Sequence, residues 1–142
     1  MIDALFHAHS GLRFLVLLAA VVALVVQAMG VFGRRPYERP SRISMAAFTG
    51  LLDLQVVLGI ALVVLGCFVY GALMGHLMMM LLAAGAAHGC STFARRQADA
   101  RRAHIVSLVG VALALAIIVG GIGAIGRTPI TSTGRPTCPA SR

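Results

Sequence analysis

Four apolar runs, each long enough to cross a bilayer, follow one another with little between them except arginines. A spanning helix needs about 20 predominantly apolar residues. The runs fall at residues 12–32, 43–66, 69–93 and 103–125. They consume most of the 142 residues, so nothing is left from which to build a soluble domain. Hydrophobic residues make up 59% of the chain and charged residues only 11%, which excludes a disordered chain. The expected fold is all-α: a four-helix transmembrane bundle over residues 1–126, with an irregular Gly-, Pro-, Thr- and Ser-rich tail over 127–142.

The lead-in Ile2-Asp3-Ala4-Leu5-Phe6-His7 contains no helix breaker, so the first helix can begin before Leu12. It has no basic n-region, too long an apolar run and no small-residue cleavage site, which reads as a retained helix and not a cleaved signal. Gly33-Arg34-Arg35-Pro36-Tyr37-Glu38-Arg39-Pro40 ends that helix, because proline lacks a donor and restricts its predecessor. Ser41 is the expected N-cap of the second helix. Residues 66–70 form a short uncharged turn, and Arg95 to Arg102 a polar connection.

The formal net charge is +8, and all twelve cations are arginine. A strongly basic chain can bind nucleic acid. Here eight of the twelve arginines cluster in two loops between apolar runs, so no nucleic-acid partner is expected. Arg34, Arg35, Arg39 and Arg42 fill one loop, and Arg95, Arg96, Arg101 and Arg102 another. The positive-inside rule then places both loops in the cytoplasm and both termini outside. Arg127, Arg135 and Arg142 in the tail pull against that orientation. On this topology Cys67 and Cys138 share the outer side and are candidates for a disulfide or for free thiols. No CxxC or CxxCH is present, so zinc ribbons and covalent c-type haem are unsupported.

Polar groups inside membrane helices are costly and mark candidate sites. Here they are His9, Arg13, Asp53, Gln55, His76 and His88, with His7 and His104 at the edges. Gly75-His76-Leu77-Met78-Met79-Met80 is the focal stretch, since it sets an imidazole about 10 Å below the outer boundary. One reading is b-type haem held by two histidines. An outer site would pair His9 with His76, offset by about 9 Å along the membrane normal; an inner one would pair His88 with His104, offset by roughly 5 Å. His76 and His88 are also the candidate metal ligands. The bland alternative is that these histidines bond to carbonyls or to Asp53 and Gln55. The run Ala83-Ala84-Gly85-Ala86-Ala87 admits either a flat macrocycle or a close-packed helix.

A second reading is a quinone or proton site built from Asp53, Gln55 and His76, against an Asp53–His76 pair that merely fixes packing. A third is copper held by His76 with Met74, Met78, Met79 or Met80. Consecutive methionines diverge around a helix, so few share a face with His76. No phosphate loop, catalytic triad or metalloprotease motif appears, and the chain is expected not to be an enzyme.

Several short pieces resemble a family of small bacterial four-helix membrane proteins, some of them cytochrome-b-like. They are His9-Ser10-Gly11-Leu12-Arg13, Asp53-Leu54-Gln55-Val56-Val57-Leu58-Gly59, Gly75-His76-Leu77-Met78-Met79 and Ala87-His88-Gly89. The resemblance covers about the first two-thirds of the chain. It implies the same four-helix fold, a bacterial inner-membrane location, and the family's polar positions at His9, Asp53, Gln55, His76 and His88. Relatives often carry histidine where Asp53 stands, and a carboxylate is a poor haem ligand. Likeness to b561-type cytochromes rests on architecture alone. The expected function is that of a non-catalytic membrane protein of an electron-transfer system, binding b-haem or serving as an accessory beside redox partners. The rival expectation is a structural subunit packed against a larger membrane complex.

Overall fold

The computed structural model describes residues 2–66 and 71–130. It contains the helices α1 (Ile2–Phe32), α2 (Arg39–Gly66), α3 (Gly71–Arg95) and α4 (Ala100–Ala124), and no strand among the described residues. All four are long and apolar enough to cross a membrane. They pack side by side in chain order, α1 on α2, α2 on α3, α3 on α4, and α4 back on α1. Short connections make sequential helices antiparallel. One end of the bundle therefore gathers Arg34, Arg35, Arg39, Arg42, Arg95, Arg96, Arg101 and Arg102. Cys67 and Cys138 lie outside the described residues.

Each boundary has a local cause. α1 begins at Ile2 and not at Leu12, since nothing in the lead-in breaks it and Asp3 complements the dipole in its first turn. It ends in a Schellman arrangement: the Arg35 N–H donates to the Gly30 carbonyl at 3.1 Å, and Arg34 takes the left-handed conformation at φ 48°. α2 starts at Arg39, ahead of the expected residue 43. The Glu38 carbonyl accepts from the Arg42 N–H at 3.1 Å, and Pro40 sits in the first turn where its missing donor costs nothing. Ser41 therefore lies inside the helix and does not cap it. α4 starts at Ala100 because the Asp99 carboxylate accepts from the Arg102 N–H at 2.7 Å.

The core runs along the bundle axis. α2 supplies its bulk in Met45, Phe48, Leu52 and Val56. α1 gives Val16, Ala20 and Ala23; α3 gives Met80, Ala83 and Ala87; α4 gives Val111, Ala114, Ile118 and Ile122. Large apolar side chains such as Leu18, Val64, Leu82 and Val109 point outward, as expected of helices whose solvent is hydrocarbon.

Glycines set the separation of three of the four seams. A Cβ on Gly110 would strike the Cβ of Cys90, and one on Gly121 would lie 2.7 Å from Met80 Cε, so α4 meets α3 closely. Gly59 on α2 leaves room for the His9 ring of α1, where a Cβ would stand 3.1 Å from Cε1. Gly30 on α1 lies flat against the His104 ring of α4. Such close approach is how helices gain contact when lipid offers no hydrophobic drive. Gly30→Ala forces a methyl into that ring and should cost about 1–3 kcal/mol. Gly50→Ala, where nothing lies within 4 Å, should cost nothing measurable. Thermal unfolding in detergent of the two variants beside the parent checks this pair.

Candidate functional site

Three polar clusters are embedded in the bundle. At the arginine end, Gln27 is fully buried at 0% exposure. Its Nε2 donates to the Ser41 carbonyl at 3.0 Å and to Ser44 Oγ at 3.2 Å. Two acceptors fix the amide orientation, so Oε1 accepts from His104 Nδ1–H at 2.8 Å. Gln27 thus joins α1, α2 and α4 through one side chain. The Tyr37 ring meets the His104 ring edge-on at 5.0 Å, and its hydroxyl bonds Ser107 Oγ at 2.9 Å. His104 Nε2 is buried and finds no protein partner.

At the opposite end, His9 and Gln55 clasp α1 to α2 reciprocally. His9 Nδ1–H donates to the Gln55 carbonyl at 3.1 Å, while Gln55 Nε2 donates to the His9 carbonyl at 2.9 Å and to His9 Nε2 at 3.3 Å. His76 on α3 reaches α4, where its Nδ1–H donates to the Gly121 carbonyl at 2.9 Å. That carbonyl is in the last turn of α4, among those left without a helical donor. With Nδ1 protonated, the neutral His76 ring presents Nε2 as an acceptor.

His9, Gln55 and His76 line two adjoining compartments of about 90 and 70 Å³. Phe6, Met80, Ile125 and Arg127 are common walls; Gly59, Leu62 and Leu73 complete the α2/α3 side, and Leu17, Ile118 and Ile122 the α1/α4 side. The lining is mostly apolar. The guanidinium of Arg13 lies 4.7 Å over the Phe14 ring, and that of Arg127 lies 5.7 Å over Phe6. Gln55 Oε1 is buried against the cavity without a partner. Two acceptors, His76 Nε2 and Gln55 Oε1, therefore meet an apolar space.

The third cluster is on the outside. His88 Nε2–H donates to both carboxylate oxygens of Asp53, each at 2.9 Å. The two side chains are 51% and 48% exposed. Asp53 lies midway along α2, where a charged group facing lipid costs roughly 2.5–3.5 kcal/mol on insertion scales.

The expected site residues thus part company. His9, Gln55 and His76 share one cavity. His88 goes to Asp53, and His104 to Gln27, so the inner histidines have separate partners. The expected Asp53–His76 pair does not form: His76 takes the Gly121 carbonyl and Asp53 takes His88. The methionines diverge as their spacing requires, with Met78 exposed, Met79 against Gly120 and Gly121, and Met80 in the cavity. Among the described residues no three His, Cys, Asp or Glu side chains group as metal ligands.

For b-haem the donors and the room disagree. His76 has the form of an axial ligand, its Nδ1–H on a carbonyl and Nε2 open. The facing His9 Nε2 is engaged by Gln55. Each compartment is smaller than the roughly 150 Å³ cavity that holds benzene. Ala83 and Ala87 are fully buried against neighbouring helices and offer no slot for a macrocycle. As packed, these residues do not fit haem. Comparison with protein-family models, curated proteins and solved structures gave no match.

Gln27 escaped the sequence reading although the same rule exposes it: a lone amide in Leu24-Val25-Val26-Gln27-Ala28-Met29 has to find a partner in the bundle. Gln27→Leu strands His104 Nδ1–H and should lower stability by about 1–3 kcal/mol. Denaturant titration in mixed micelles measures it; a loss below about 0.5 kcal/mol would remove the network's structural role.

Proposed function

We propose that the chain is a multi-pass inner-membrane protein of an electron-transfer system, with both termini outside the cytoplasm, and that its outer cavity receives the ring of a quinol. The observation that carries this is the pair of acceptors, His76 Nε2 and Gln55 Oε1, opening into an apolar space. An acceptor pair selects a ligand that donates. A quinol offers hydroxyl donors on one apolar ring; neither compartment alone holds a ring, but the two adjoin and together, at about 90 and 70 Å³, reach the roughly 150 Å³ that holds benzene. A quinone, which has only carbonyl acceptors, would leave the same two groups unpaired.

His76 would accept the hydroxyl hydrogen bond. Gln55 would hold the second polar edge, while its amide keeps His9 and α1 in register. Phe6, Leu62, Leu73 and Met80 would enclose the ring and exclude water. No redox centre is required of the chain, so its role is non-catalytic: it holds a reduced carrier beside partners that oxidise it. The competing reading is a structural subunit of a larger membrane complex. It draws on the reciprocal His9–Gln55 bonds, which lock helices without any ligand.

The deciding experiment is anaerobic titration of the purified protein in nanodiscs with a short-chain benzoquinol and the matching quinone. Saturable binding that prefers the quinol is expected. His76→Leu should weaken it about tenfold, the equivalent of roughly 1.4 kcal/mol or one hydrogen bond. Val56→Phe, which fills the cavity without touching a polar atom, should abolish it. Equal affinity for both redox forms, or no change in either variant, would sink the proposal and leave the structural subunit. A reduced-minus-oxidised visible spectrum of the same sample should lack a b-type α-band; a strong band would return the site to haem.

A further inference from the structure

The arginine end of the bundle carries an open groove of about 490 Å³ that neither the core nor the quinol cavity uses. Arg39 and Arg42, from the first turn of α2, and Arg95, the last residue of α3, converge on it. Tyr37 and Glu38 line it from the loop, and Ile43 and Ala46 from the membrane side. We propose that this groove seats the phosphate of an anionic phospholipid, with the glycerol and upper acyl chain against Ile43 and Ala46. The inference rests on the bundle spanning a bilayer, but not on the quinol site.

Charge selects an anion. Three guanidiniums meet one carboxylate at the groove, and among the described residues none of the three forms a salt bridge. Each keeps its fork of N–H donors for an incoming oxygen. Phosphate oxygens match that fork two bonds at a time. The ammonium of a zwitterionic headgroup would add a further cation to a cluster that Glu38 alone does not neutralise. A phospholipid of net negative charge brings no such penalty.

Depth selects the source of that anion. α2 has 28 residues and α3 has 25, so they are about 42 and 38 Å long. The hydrocarbon layer is about 30 Å thick, and the headgroups extend it to roughly 40–45 Å. The three arginines, at the ends of these helices, therefore stand at the level of lipid phosphate. Ile43 and Ala46 lie exposed one turn further in. A soluble anion makes no use of them, whereas a lipid contacts guanidiniums and apolar side chains together. The walls are also held before any ligand arrives. The Glu38 carbonyl accepts from the Arg42 N–H at 3.1 Å, and the Tyr37 hydroxyl bonds Ser107 Oγ at 2.9 Å. A preformed site loses less freedom on binding. Arg101 and Arg102 belong to the same end of the bundle but do not line the groove, so they separate a built site from diffuse positive charge.

The test is native mass spectrometry of the full chain in detergent, titrated with phosphatidylglycerol and with phosphatidylethanolamine of the same acyl chains. One phosphatidylglycerol should be retained per chain, about tenfold more tightly than phosphatidylethanolamine. Arg42→Gln and Arg95→Gln should each weaken it about fivefold, the loss of a charge-assisted contact. Ala46→Phe, which fills the groove without removing a charge, should abolish the preference. Arg101→Gln removes the same charge outside the groove and should leave the affinity unchanged. All four positions are exposed, and circular dichroism of each variant checks that its helices are intact. Equal affinity for the two lipids, an equal loss in Arg101→Gln, or no loss in Ala46→Phe would each overturn the proposal. So would displacement of the lipid by soluble glycerol phosphate, which would make the groove a site for a free anion. Carbonate extraction of vesicles containing the chain separates the two premises: protein retained without a lipid preference fails the groove alone, whereas protein released fails the membrane reading.

Discussion

A polar side chain surrounded by hydrocarbon has no water to fall back on, and it must find its partner in protein. That constraint organises this bundle more than any apolar contact does. Gln27 holds α1, α2 and α4 at one end; His9 and Gln55 hold α1 to α2 at the other; His76 holds α3 to α4. Each tie joins different helices, and each uses a main-chain carbonyl or a side chain that the lipid could not satisfy. The large apolar residues fill the intervals and fix little by themselves, since leucine gains as much from lipid as from leucine.

Close packing does the rest, and its reach is uneven. Gly30, Gly59, Gly110 and Gly121 bring helix axes together at three seams. Among the described residues the α2/α3 seam has no such notch. Below the level of the cavity it is bridged on the outside by Asp53 and His88. The most weakly closed side of the bundle therefore also carries an exposed ion pair along its length. Gly59, Leu62, Leu73 and Leu77 form the wall of the cavity on that same side.

Fold class was legible because four uninterrupted apolar runs permit almost nothing else. Helix ends were less so. Pro40 and Ser41 looked like stop and cap from sequence, but proline is harmless in a first turn and Glu38 took the cap. Within the cavity, His9, Gln55 and His76 were all visible as polar intrusions. The kinds of partner, carbonyls or Asp53 and Gln55, were legible too. Which histidine takes which was not, because a hydrogen bond between helices depends on rotation about each axis, which apolar periodicity defines poorly when every face is apolar. Hence the structure replaces the expected Asp53–His76 pair with Asp53–His88. Gln27 stands among apolar neighbours with no second polar group within a turn of it on its helix, yet an uncharged amide is as needy in hydrocarbon as an imidazole.

α3 has a mean hydropathy of 1.4, against 2.2 to 2.8 for the other three helices. During synthesis each span is judged by how readily it leaves the insertion machinery for lipid, and α3 is the one with least reason to go. Its widest interface is with α4, the most apolar span and the next to be made. The last two helices therefore suit entry as one hairpin, α4 carrying α3 with it. Cys90 and Gly110, which set how closely α3 meets α4, then bear on how well that hairpin holds together as it enters.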